Sequence, residues 1–342
     1  MRYFSNEIVF RGHPDKVCDQ IGAAILAECV RQDKNTRAGI EVTGGKGKIF
    51  VTGEVTTKAK FNVKKIVKRV LSDIGYKTNY KIIDNLGKQS PDIAQGVDVG
   101  GAGDQGMMYG YACNDTDKML PTAMVILQEF ALYYDLLRTY DNRFLPDGKA
   151  QVTGLYDDDF KLVKIKDFTI SYQNTEVERE ETDSILRGAA KDICEKYGIM
   201  EIERFLINPT GKFLIGGFEG DAGVCGRKIV VDAYQGFANV GGGNMNAKDA
   251  TKVDFSASHM ARNIACEYLK SHNLKWCEVQ LSYAIGVAEP LSIYINSNIG
   301  YIEPERSLYQ RCTPANIIKE LNLLEADYEE LAKFGHYTKA DD

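Results

Sequence analysis

The sequence predicts an α/β fold of the α+β type, with three similar subdomains of mixed sheet and helices in a pseudo-threefold arrangement. The chain has 342 residues, more than one hydrophobic core usually organises. Segments with strand and helix patterns alternate in three cycles of about a hundred residues each. Hairpin turns follow most of the strand segments, which favours mixed or antiparallel sheets over a doubly wound parallel sheet.

The first cycle contains a helix, a hairpin and a second helix. Residues 14–31 predict a helix with proline in its first turn, because their apolar side chains recur at the spacing of one helix face. Residues 38–57 alternate apolar and polar side chains around a Gly-Gly pair, which predicts a β-hairpin. Residues 61–76 predict another helix, closed by Gly75.

The second and third cycles repeat this alternation with little sequence identity. The second cycle predicts a strand at 107–113, a helix at 119–139, strands near 149–173 and a helix at 182–197. The third cycle predicts a strand at 226–234, a helix at 253–271, strands at 278–286 and 291–296, and a helix at 314–333.

Composition and charge exclude several classes of protein. The formal net charge of −6 argues against a nucleic-acid binder, which needs a basic surface. No apolar stretch approaches the roughly 18 residues that cross a bilayer, and charged residues interrupt the N-terminal segment where a signal peptide would be apolar. We therefore expect a cytoplasmic protein with no nucleic-acid or membrane partner.

The cysteines show no metal-binding or disulfide pattern. The chain has 8 of them, scattered and without a Cys-x-x-Cys pair. We expect reduced thiols that serve mostly as small core side chains.

Glycine-rich segments that also carry charge are the most informative feature of the sequence. Residues 101–106 satisfy the G-x-G-x-x-G pattern, but no strand precedes them and a strand follows, so the dinucleotide-binding interpretation fails. No Gly-Lys pair continues into the GK[ST] of a P-loop. Two other segments, 221–228 and 243–254, combine lysine and arginine with aspartate. Such segments suit a polyphosphate and a hard cation such as Mg²⁺, and the alternative is a pair of solvated loops.

His13 stands at the predicted start of the first helix, beside Asp15 and Lys16. A helix N-terminus carries partial positive charge and favours anions. His13 is therefore a candidate site residue, whereas the other three histidines lack such neighbours and are expected to be structural.

The motifs together resemble one enzyme family along nearly the whole chain. The segments are GHPDK (12–16), GKQSPDI (87–93), GAGDQG (101–106), INPTGKF (207–213), GDAGVCGRK (220–228), GGG and KD (241–249), TKVD (251–254) and SYAIGVAEP (282–290). In this order they closely resemble the signature segments of S-adenosylmethionine synthetases, also called methionine adenosyltransferases. GHPDK followed by GAGDQG is highly specific to that family.

This resemblance implies a fold, a reaction and an assembly. The implied subdomains are 1–95, 96–212 and 213–342. The implied reaction is attack of the methionine sulfur on C5′ of ATP, followed by hydrolysis of the released tripolyphosphate to pyrophosphate and phosphate. The implied cofactors are two Mg²⁺ per site and K⁺. The implied assembly is a homodimer with active sites shared between subunits, which often pairs into a tetramer.

The resemblance also assigns roles to individual residues. His13 would lie near the ribose 5′ oxygen, and the catalytic set would be His13, Lys149, Arg227, Lys228 and Lys248. The ATP-binding positions would be Lys149, Lys212, Phe213, Asp221, Arg227, Lys228, Asn244 and Lys248. The methionine-binding positions would be Glu54, Gln89, Asp104, Asp221 and Lys252. Asp15 and Asp254 would hold Mg²⁺, and Glu41 would serve the K⁺ site.

The chain departs from the family pattern in four places. Only two residues separate QGVD from GAGDQG, where the family carries a longer mobile gate, so the gate at 96–103 is short. Residues 244–247 read NMNA instead of AFSG, Phe255 replaces a basic residue, and Lys212 replaces an arginine. Two alternatives follow: a related adenosyltransferase with a shifted nucleotide or thioether preference, and a non-catalytic ATP-binding regulatory subunit.

Overall fold

The computed structural model describes residues 1–77, 79–88, 100–176 and 178–337. The strands of these residues form three four-stranded sheets. The strands are β1 (Arg2–Val9), β2 (Arg37–Gly45), β3 (Lys48–Thr56), β4 (Lys81–Gly87), β5 (Gly106–Cys113), β6 (Phe144–Tyr156), β7 (Leu162–Asn174), β8 (Ile202–Ile207), β9 (Gly223–Val224), β10 (Trp276–Tyr283), β11 (Ser292–Ser297) and β12 (Gly300–Ile302). Sheet 1 has the order β1-β6-β7-β8, sheet 2 the order β12-β11-β10-β5, and sheet 3 the order β4-β3-β2-β9. The pairs β3–β4 and β7–β8 are parallel and the other pairs are antiparallel, so the predicted mixed sheets and fold class are confirmed.

The helices cover one side of these sheets. Those in the described residues are α1 (Pro14–Gln32), α2 (Val63–Ile74), α3 (Thr122–Tyr140), α4 (Glu180–Lys196), α5 (Gly217–Gly220), α6 (Ile229–Asp232), α7 (Val253–Ser271), α8 (Arg306–Arg311), α9 (Pro314–Glu320), α10 (Tyr328–Leu331) and a 3₁₀ turn at Leu323–Glu325. The first-cycle prediction of a helix, a hairpin and a second helix is confirmed, and each predicted end lies within two residues of the observed one. Gly75 caps α2 in the left-handed conformation, as its position after the helix predicts.

Buried apolar side chains of the described residues form two cores. The larger one joins α1, α2, α7 and the inner faces of sheets 2 and 3. The second lies between sheet 1 and the helices α3 and α4. All eight cysteines are free and buried, which agrees with their predicted role as small core side chains. Helix α1 is buried over most of its circumference, so its N-terminal residues are held firmly in place.

The predicted strand at 226–234 is wrong. Its run of Ile229, Val230 and Val231 has high β-propensity, but residues 229–232 form the single helical turn α6. The amide of Asp232 donates to the carbonyl oxygen of Lys228 at 2.8 Å, and the Asp232 carboxylate is buried against a lysine of α1. A tertiary ion pair therefore overrides the local preference for strand.

The predicted helix at 314–333 is also wrong as a single element. It is divided into α9, the 3₁₀ turn and α10. Asn322 adopts a left-handed backbone with φ of 49°, which stops α9, and the Asp327 side chain accepts from the amide of Glu330 to start α10. The helical periodicity of the sequence continues across this break and conceals it.

Each sheet combines strands from two of the predicted subdomains. Strand β1 joins β6–β8, β5 joins β10–β12, and β9 joins β2–β4. The sequence prediction missed strands β1, β4, β8, β9 and β12. The subdomain boundaries at 95/96 and 212/213 stay a prediction. Each sheet contains strands from both sides of a boundary, so the sheets do not test it.

Candidate active site

Asp15 lies at the centre of a charged cluster at the start of α1. Its fully buried carboxylate accepts hydrogen bonds from the amide of Val224 at 2.9 Å, Nε of Arg227 at 2.9 Å and Nζ of Lys228 at 2.7 Å. Burial alone would raise the pKa of Asp15, but the hydrogen bonds from Lys228, Val224 and Arg227 outweigh burial and lower it. The carboxylate is therefore ionised, and two cations converge on a helix N-terminus.

His13 caps the same helix. Its Nδ1 accepts a hydrogen bond from the amide of Asp15 at 3.2 Å. Burial, followed by the charge of Lys228, lowers the pKa of His13 to about 4, so the ring is neutral at physiological pH. Because Nδ1 is the acceptor, we infer that Nε2 carries the proton and is free to donate it in a hydrogen bond. We call His13, Asp15, Arg227 and Lys228 the helix-start cluster.

Close backbone packing holds the loop with Arg227 and Lys228 against α1. A Cβ atom added to Gly223 would lie 2.2 Å from the carbonyl oxygen of Pro14. Only glycine allows this approach, which brings β9 to the first turn of the helix. The sequence GDAGVCGRK therefore places its two cations through a backbone contact that no other residue would permit.

Asp147 and Lys149 flank the helix-start cluster on β6. Asp147 is buried and its Oδ2 accepts from the amide of Gly217 at 2.7 Å, and burial raises its pKa to about 7. Lys149 is exposed, with Nζ 3.7 Å from Oε2 of Glu7. Asp221 is exposed beside them and contributes to the electrostatics of both His13 and Asp147. Asp147 was not among the candidate site residues predicted from the sequence. Its position two residues before Lys149 on one strand, where alternate residues share a face, could have indicated it.

A second charged cluster surrounds the start of α7. Lys248 hydrogen-bonds to Asp254, and Nζ of Lys252 lies 3.5 Å from Oε1 of Glu54. We call these four residues the Lys248 cluster. A Cβ atom on Gly243 would lie 2.0 Å from Oδ1 of Asp254, so the glycine-rich loop wraps closely around this carboxylate.

No ion pair joins the two clusters within the described residues. Asp15 pairs with Arg227 and Lys228, whereas Asp254 pairs with Lys248. Asp15 and Asp254, the two predicted Mg²⁺ ligands, share no ion-pair partner among the described residues.

Several predicted site residues lie away from both clusters. Lys212 is exposed and lines a cavity of about 540 Å³ with Asn174 and Arg179, and Phe213 follows it in the same loop. Asp104 is exposed, and its Oδ1 accepts a hydrogen bond from the neighbouring amide of Gln105 at 2.8 Å. Gln89 and residues 96–99 of the gate lie outside the described residues.

Glu41 is exposed on β2, where the thiol of Cys225 donates to its Oε2 at 2.6 Å. Burial, reinforced by this hydrogen bond, raises the pKa of Cys225 and keeps the thiol protonated. The carboxylate oxygens of Glu41 suit a hard monovalent cation. The hydrogen bond from Cys225 to Glu41 was not predicted from the sequence.

The residues that depart from the family pattern fall into two groups. Phe255 is buried and packs against His259 and Tyr328, and Met245 and Asn246 are buried as well. The side chain of Asn244 lies against Gly226, in the loop of the helix-start cluster, and the side chain of Asn246 hydrogen-bonds to Asp232. Phe255 and Met245 therefore serve packing, whereas Asn244 and Asn246 contact residues 226–232.

The described part of the short gate is anchored to the loop that follows β10. The amide of Ala102 donates to the carbonyl oxygen of Val287 at 3.0 Å, and the amide of Gly286 donates to that of Ala102 at 2.8 Å. Gly101 contacts the backbone of Gly286 so closely that a side chain would not fit.

The donor chemistry of both clusters fits a divalent cation that is shared with a substrate. Carboxylates are the ligands that Mg²⁺ prefers, and it is usually held by one or two of them plus phosphate oxygens and water. The described residues contain no group of three or more His, Cys, Asp or Glu that could hold a metal alone. Asp15 pairs with Arg227 and Lys228, and Asp254 pairs with Lys248.

The sequence matches three family descriptions that together span almost the whole chain. They are the N-terminal domain of S-adenosylmethionine synthetase over residues 1–91, the central domain over 99–213 and the C-terminal domain over 215–342. Within the described residues, no helix has the length and apolar character that a membrane crossing requires.

Curated relatives named S-adenosylmethionine synthase align along nearly their full length. The protein of Fusobacterium nucleatum is 38% identical over 358 residues, covering 99% of this chain and 94% of the relative. Those of Staphylococcus epidermidis and Thermosynechococcus vestitus are each 39% identical, over 380 and 392 residues, with 94% of each relative covered. These similarities imply a metal-dependent enzyme and do not favour the two alternatives. The chain therefore belongs to the S-adenosylmethionine synthetase family and has methionine adenosyltransferase activity, the synthesis of S-adenosylmethionine from ATP and methionine.

Proposed function

We propose that the helix-start cluster binds the ribose 5′ oxygen and triphosphate of ATP, and that the Lys248 cluster supplies further contacts to ATP and to methionine. The observation that carries this proposal is the convergence of Arg227 and Lys228 on the N-terminus of α1. Arg227 has 49% of its side chain exposed, so it can turn from Asp15 to an incoming phosphate. Lys149, Lys212, Phe213, Asp221, Asn244 and Lys248 complete the proposed ATP contacts.

The reaction needs no general base and no covalent nucleophile, because the neutral thioether of methionine is already nucleophilic. The sulfur forms a bond to C5′ as the bond from C5′ to the 5′ oxygen breaks, and tripolyphosphate leaves with the electron pair. Arg227 and Lys228 stabilise the negative charge that develops on this leaving group. The Nε2 proton of His13 can hydrogen-bond to the departing 5′ oxygen.

Methionine is proposed to contact Glu54, Gln89, Asp104, Asp221 and Lys252. In this proposal the Glu54–Lys252 pair recognises the ammonium and carboxylate groups of the amino acid. Holding the sulfur in line with C5′ supplies a large part of the rate acceleration. Tripolyphosphate is then hydrolysed to pyrophosphate and phosphate.

Asp15 and Asp254 are the proposed ligands of two Mg²⁺ per site, and Glu41 is the proposed K⁺ ligand. Mg²⁺, when bound, supplies charge neutralisation for the tripolyphosphate chain. We further propose that the enzyme acts in the cytoplasm as a homodimer, and that pairs of dimers form tetramers. The dimer is proposed from the family resemblance, which implies that each site is shared between two subunits.

The test is mass spectrometry of the products after incubation with ATP, methionine, Mg²⁺ and K⁺. The proposal expects S-adenosylmethionine with equal amounts of pyrophosphate and phosphate, and no product after chelation of divalent metal. Replacing Asp15 or Asp254 with asparagine should abolish the dependence on Mg²⁺ together with most of the rate. Unchanged activity in both variants would refute the metal assignment.

A further inference from the structure

Lys16 is a fully buried cation that the proposed site does not use. Its side chain is 1% exposed, although it lies beside Asp15 at the start of α1. Nζ of Lys16 donates to Oδ2 of Asp232 at 2.7 Å and lies 3.2 Å from Oδ2 of Asp19. Lys16 therefore points into the protein and cannot contact a substrate.

The two carboxylates that surround Lys16 fix the two ends of one segment. Oδ1 of Asp19 accepts from the amide of Gly226 at 2.9 Å, which holds the start of residues 226–232. Asp232 is the last residue of that segment, and its amide donates to the carbonyl oxygen of Lys228 at 2.8 Å. Lys16 thus ties α1 to both ends of the segment that carries Arg227 and Lys228.

A second contact anchors the far end of this segment. The carbonyl oxygen of Asp232 accepts from the amide of His336 at 2.8 Å. A Cβ atom on Gly335 would lie 2.9 Å from the same oxygen, so the C-terminal segment packs closely here. Asp232 is consequently held by groups from three parts of the chain.

The charges of this cluster depend on one another. Burial alone would lower the pKa of Lys16, but Asp232 and Asp19 outweigh burial and raise it. A buried ion pair adds little net stability over apolar side chains, yet removal of one partner leaves an uncompensated buried charge. Loss of Lys16 would leave two buried carboxylates facing each other, and the segment they hold would have to move.

We propose that Lys16, Asp19 and Asp232 are positioning residues that hold segment 226–232 so that Arg227 and Lys228 face the triphosphate of ATP. This inference rests on the proposed roles of Arg227 and Lys228. The cluster acts through the backbone, because neither carboxylate contacts those two side chains directly. A misplacement of about 1 Å in such groups can cost about 10²-fold in rate.

The first experiment compares Lys16→Met with Lys275→Met, whose ion pair with Asp159 is exposed and remote. We expect Lys16→Met to accelerate amide hydrogen exchange in residues 223–235 of the ligand-free protein and to raise KM for ATP by about tenfold or more. KM for methionine should change much less. The control should alter neither quantity. A Lys16→Met protein that is merely less thermostable, with normal exchange at 223–235 and normal KM for ATP, would overturn the proposal.

The second experiment separates charge from hydrogen bonding at the other two positions. Asp19→Asn retains an acceptor for the amide of Gly226, whereas Asp19→Ala does not, so KM for ATP should rise more in the alanine variant. The double variant Lys16→Met/Asp232→Asn leaves fewer uncompensated charges than Lys16→Met alone. Its fold increase in KM for ATP should therefore be smaller than the product of the increases in the two single variants. Equal effects of Asp19→Asn and Asp19→Ala, together with multiplicative effects in the double variant, would contradict the proposed coupling. These variants also decide the matter if Lys16→Met does not fold.

Lys228→Ala distinguishes failure of this inference from failure of the proposed function. If Lys228→Ala leaves KM for ATP and kcat unchanged, the ATP-binding assignment fails. Hydrogen exchange in Lys16→Met would still report whether Lys16 holds the segment. If Lys228→Ala is impaired and Lys16→Met shows normal exchange and normal KM, the positioning inference alone fails.

Discussion

At the residue scale, the same chemical group has a different role according to what surrounds it. Asp15 and Asp147 are both buried carboxylates within the candidate active site. Asp15 has two cationic partners and a lowered pKa, whereas Asp147 accepts mainly backbone hydrogen bonds and has a raised pKa. One is therefore a fixed negative charge and the other gains a proton close to neutral pH.

We predict that His13→Ala lowers kcat by about 10²–10³-fold, which is the usual cost of losing one hydrogen-bond donor to a developing oxyanion. The reason is that Nε2 of His13 is the neutral donor proposed for the 5′ oxygen. Steady-state kinetics with saturating ATP and methionine provide the measurement. His272→Ala, at an exposed position, is the matched control and should retain normal kcat. A kcat near that of the wild type in His13→Ala would show that the donor is elsewhere.

We predict that Asp147 makes stability fall as pH rises from about 4 to about 7. The native carboxyl keeps its proton up to about pH 7, while the unfolded one loses it near its ordinary value of 3.8, so the native state binds more protons in this window. The contribution is complete below the unfolded pKa and is lost as pH rises through the folded pKa. Its slope is at most about 1.4 kcal/mol per pH unit.

The measurement is denaturant unfolding of the wild type and of Asp147→Asn at several pH values. The free energy of unfolding of the wild type minus that of Asp147→Asn should fall as pH rises from about 4 to about 7 and stay constant above that range. A difference that does not depend on pH would mean that Asp147 is ionised throughout.

At the element scale, the active site depends on where α1 begins and on how closely β9 approaches it. The N-terminus of α1 supplies the cap at His13, the carboxylate of Asp15 and the helix dipole. Strand β9 is only two residues long, but it pairs with β2 and delivers Arg227 and Lys228 to Asp15. A short strand at a sheet edge thus determines the electrostatics of the site.

We predict that Gly223→Ala destabilises the protein by about 1–3 kcal/mol, the usual cost of overpacking, and raises KM for ATP. The added Cβ would meet the carbonyl oxygen of Pro14 at 2.2 Å, so β9 must move away from α1. Gly188→Ala in α4 is the control, because its Cβ has nothing within 4 Å. Gly188→Ala should raise the free energy of unfolding by about 0.5–1 kcal/mol. Equal thermal unfolding midpoints for the two variants would show that the Gly223 contact is dispensable.

At the scale of the whole molecule, the three sheets interlock parts of the chain that are far apart in sequence. Each sheet draws strands from two of the three predicted subdomains, and the larger core is continuous between sheets 2 and 3. This arrangement brings segment 221–228 to the helix that begins at residue 14. No ion pair joins the two charged clusters in the described part of the chain, and the family resemblance implies that each site is shared between two subunits.

We predict that two inactive variants complement each other. Lys228→Ala disables the helix-start cluster, and Lys252→Ala disables the Lys248 cluster. If each site uses one cluster from each subunit, a heterodimer contains one intact site, and random reassembly of an equal mixture restores about a quarter of the wild-type activity. Mixing is done under conditions of subunit exchange, with each variant alone as the control. If no activity returns although heterodimers are detected by mass spectrometry, both clusters belong to a site within one subunit.

The sequence alone determined the fold class and the family, and it supplied most of the candidate site residues. Helical and alternating periodicities located α1, the β2–β3 hairpin and α7, because those elements bury one continuous pattern of side chains. Motifs such as GHPDK and GDAGVCGRK identified His13, Asp15, Arg227 and Lys228, since each motif keeps its chemistry within a few consecutive residues.

The tertiary structure alone decided how these pieces are joined and which charged residues support the site. Local propensity predicted a strand at 226–234, but the buried contact between Lys16 and Asp232, 216 positions apart, produces a helical turn instead. The same long-range contact holds the side chain of Lys16 inside the protein. Sequence patterns report the preferences of neighbouring residues, whereas buried charges are compensated by partners that only the folded chain brings within hydrogen-bonding distance.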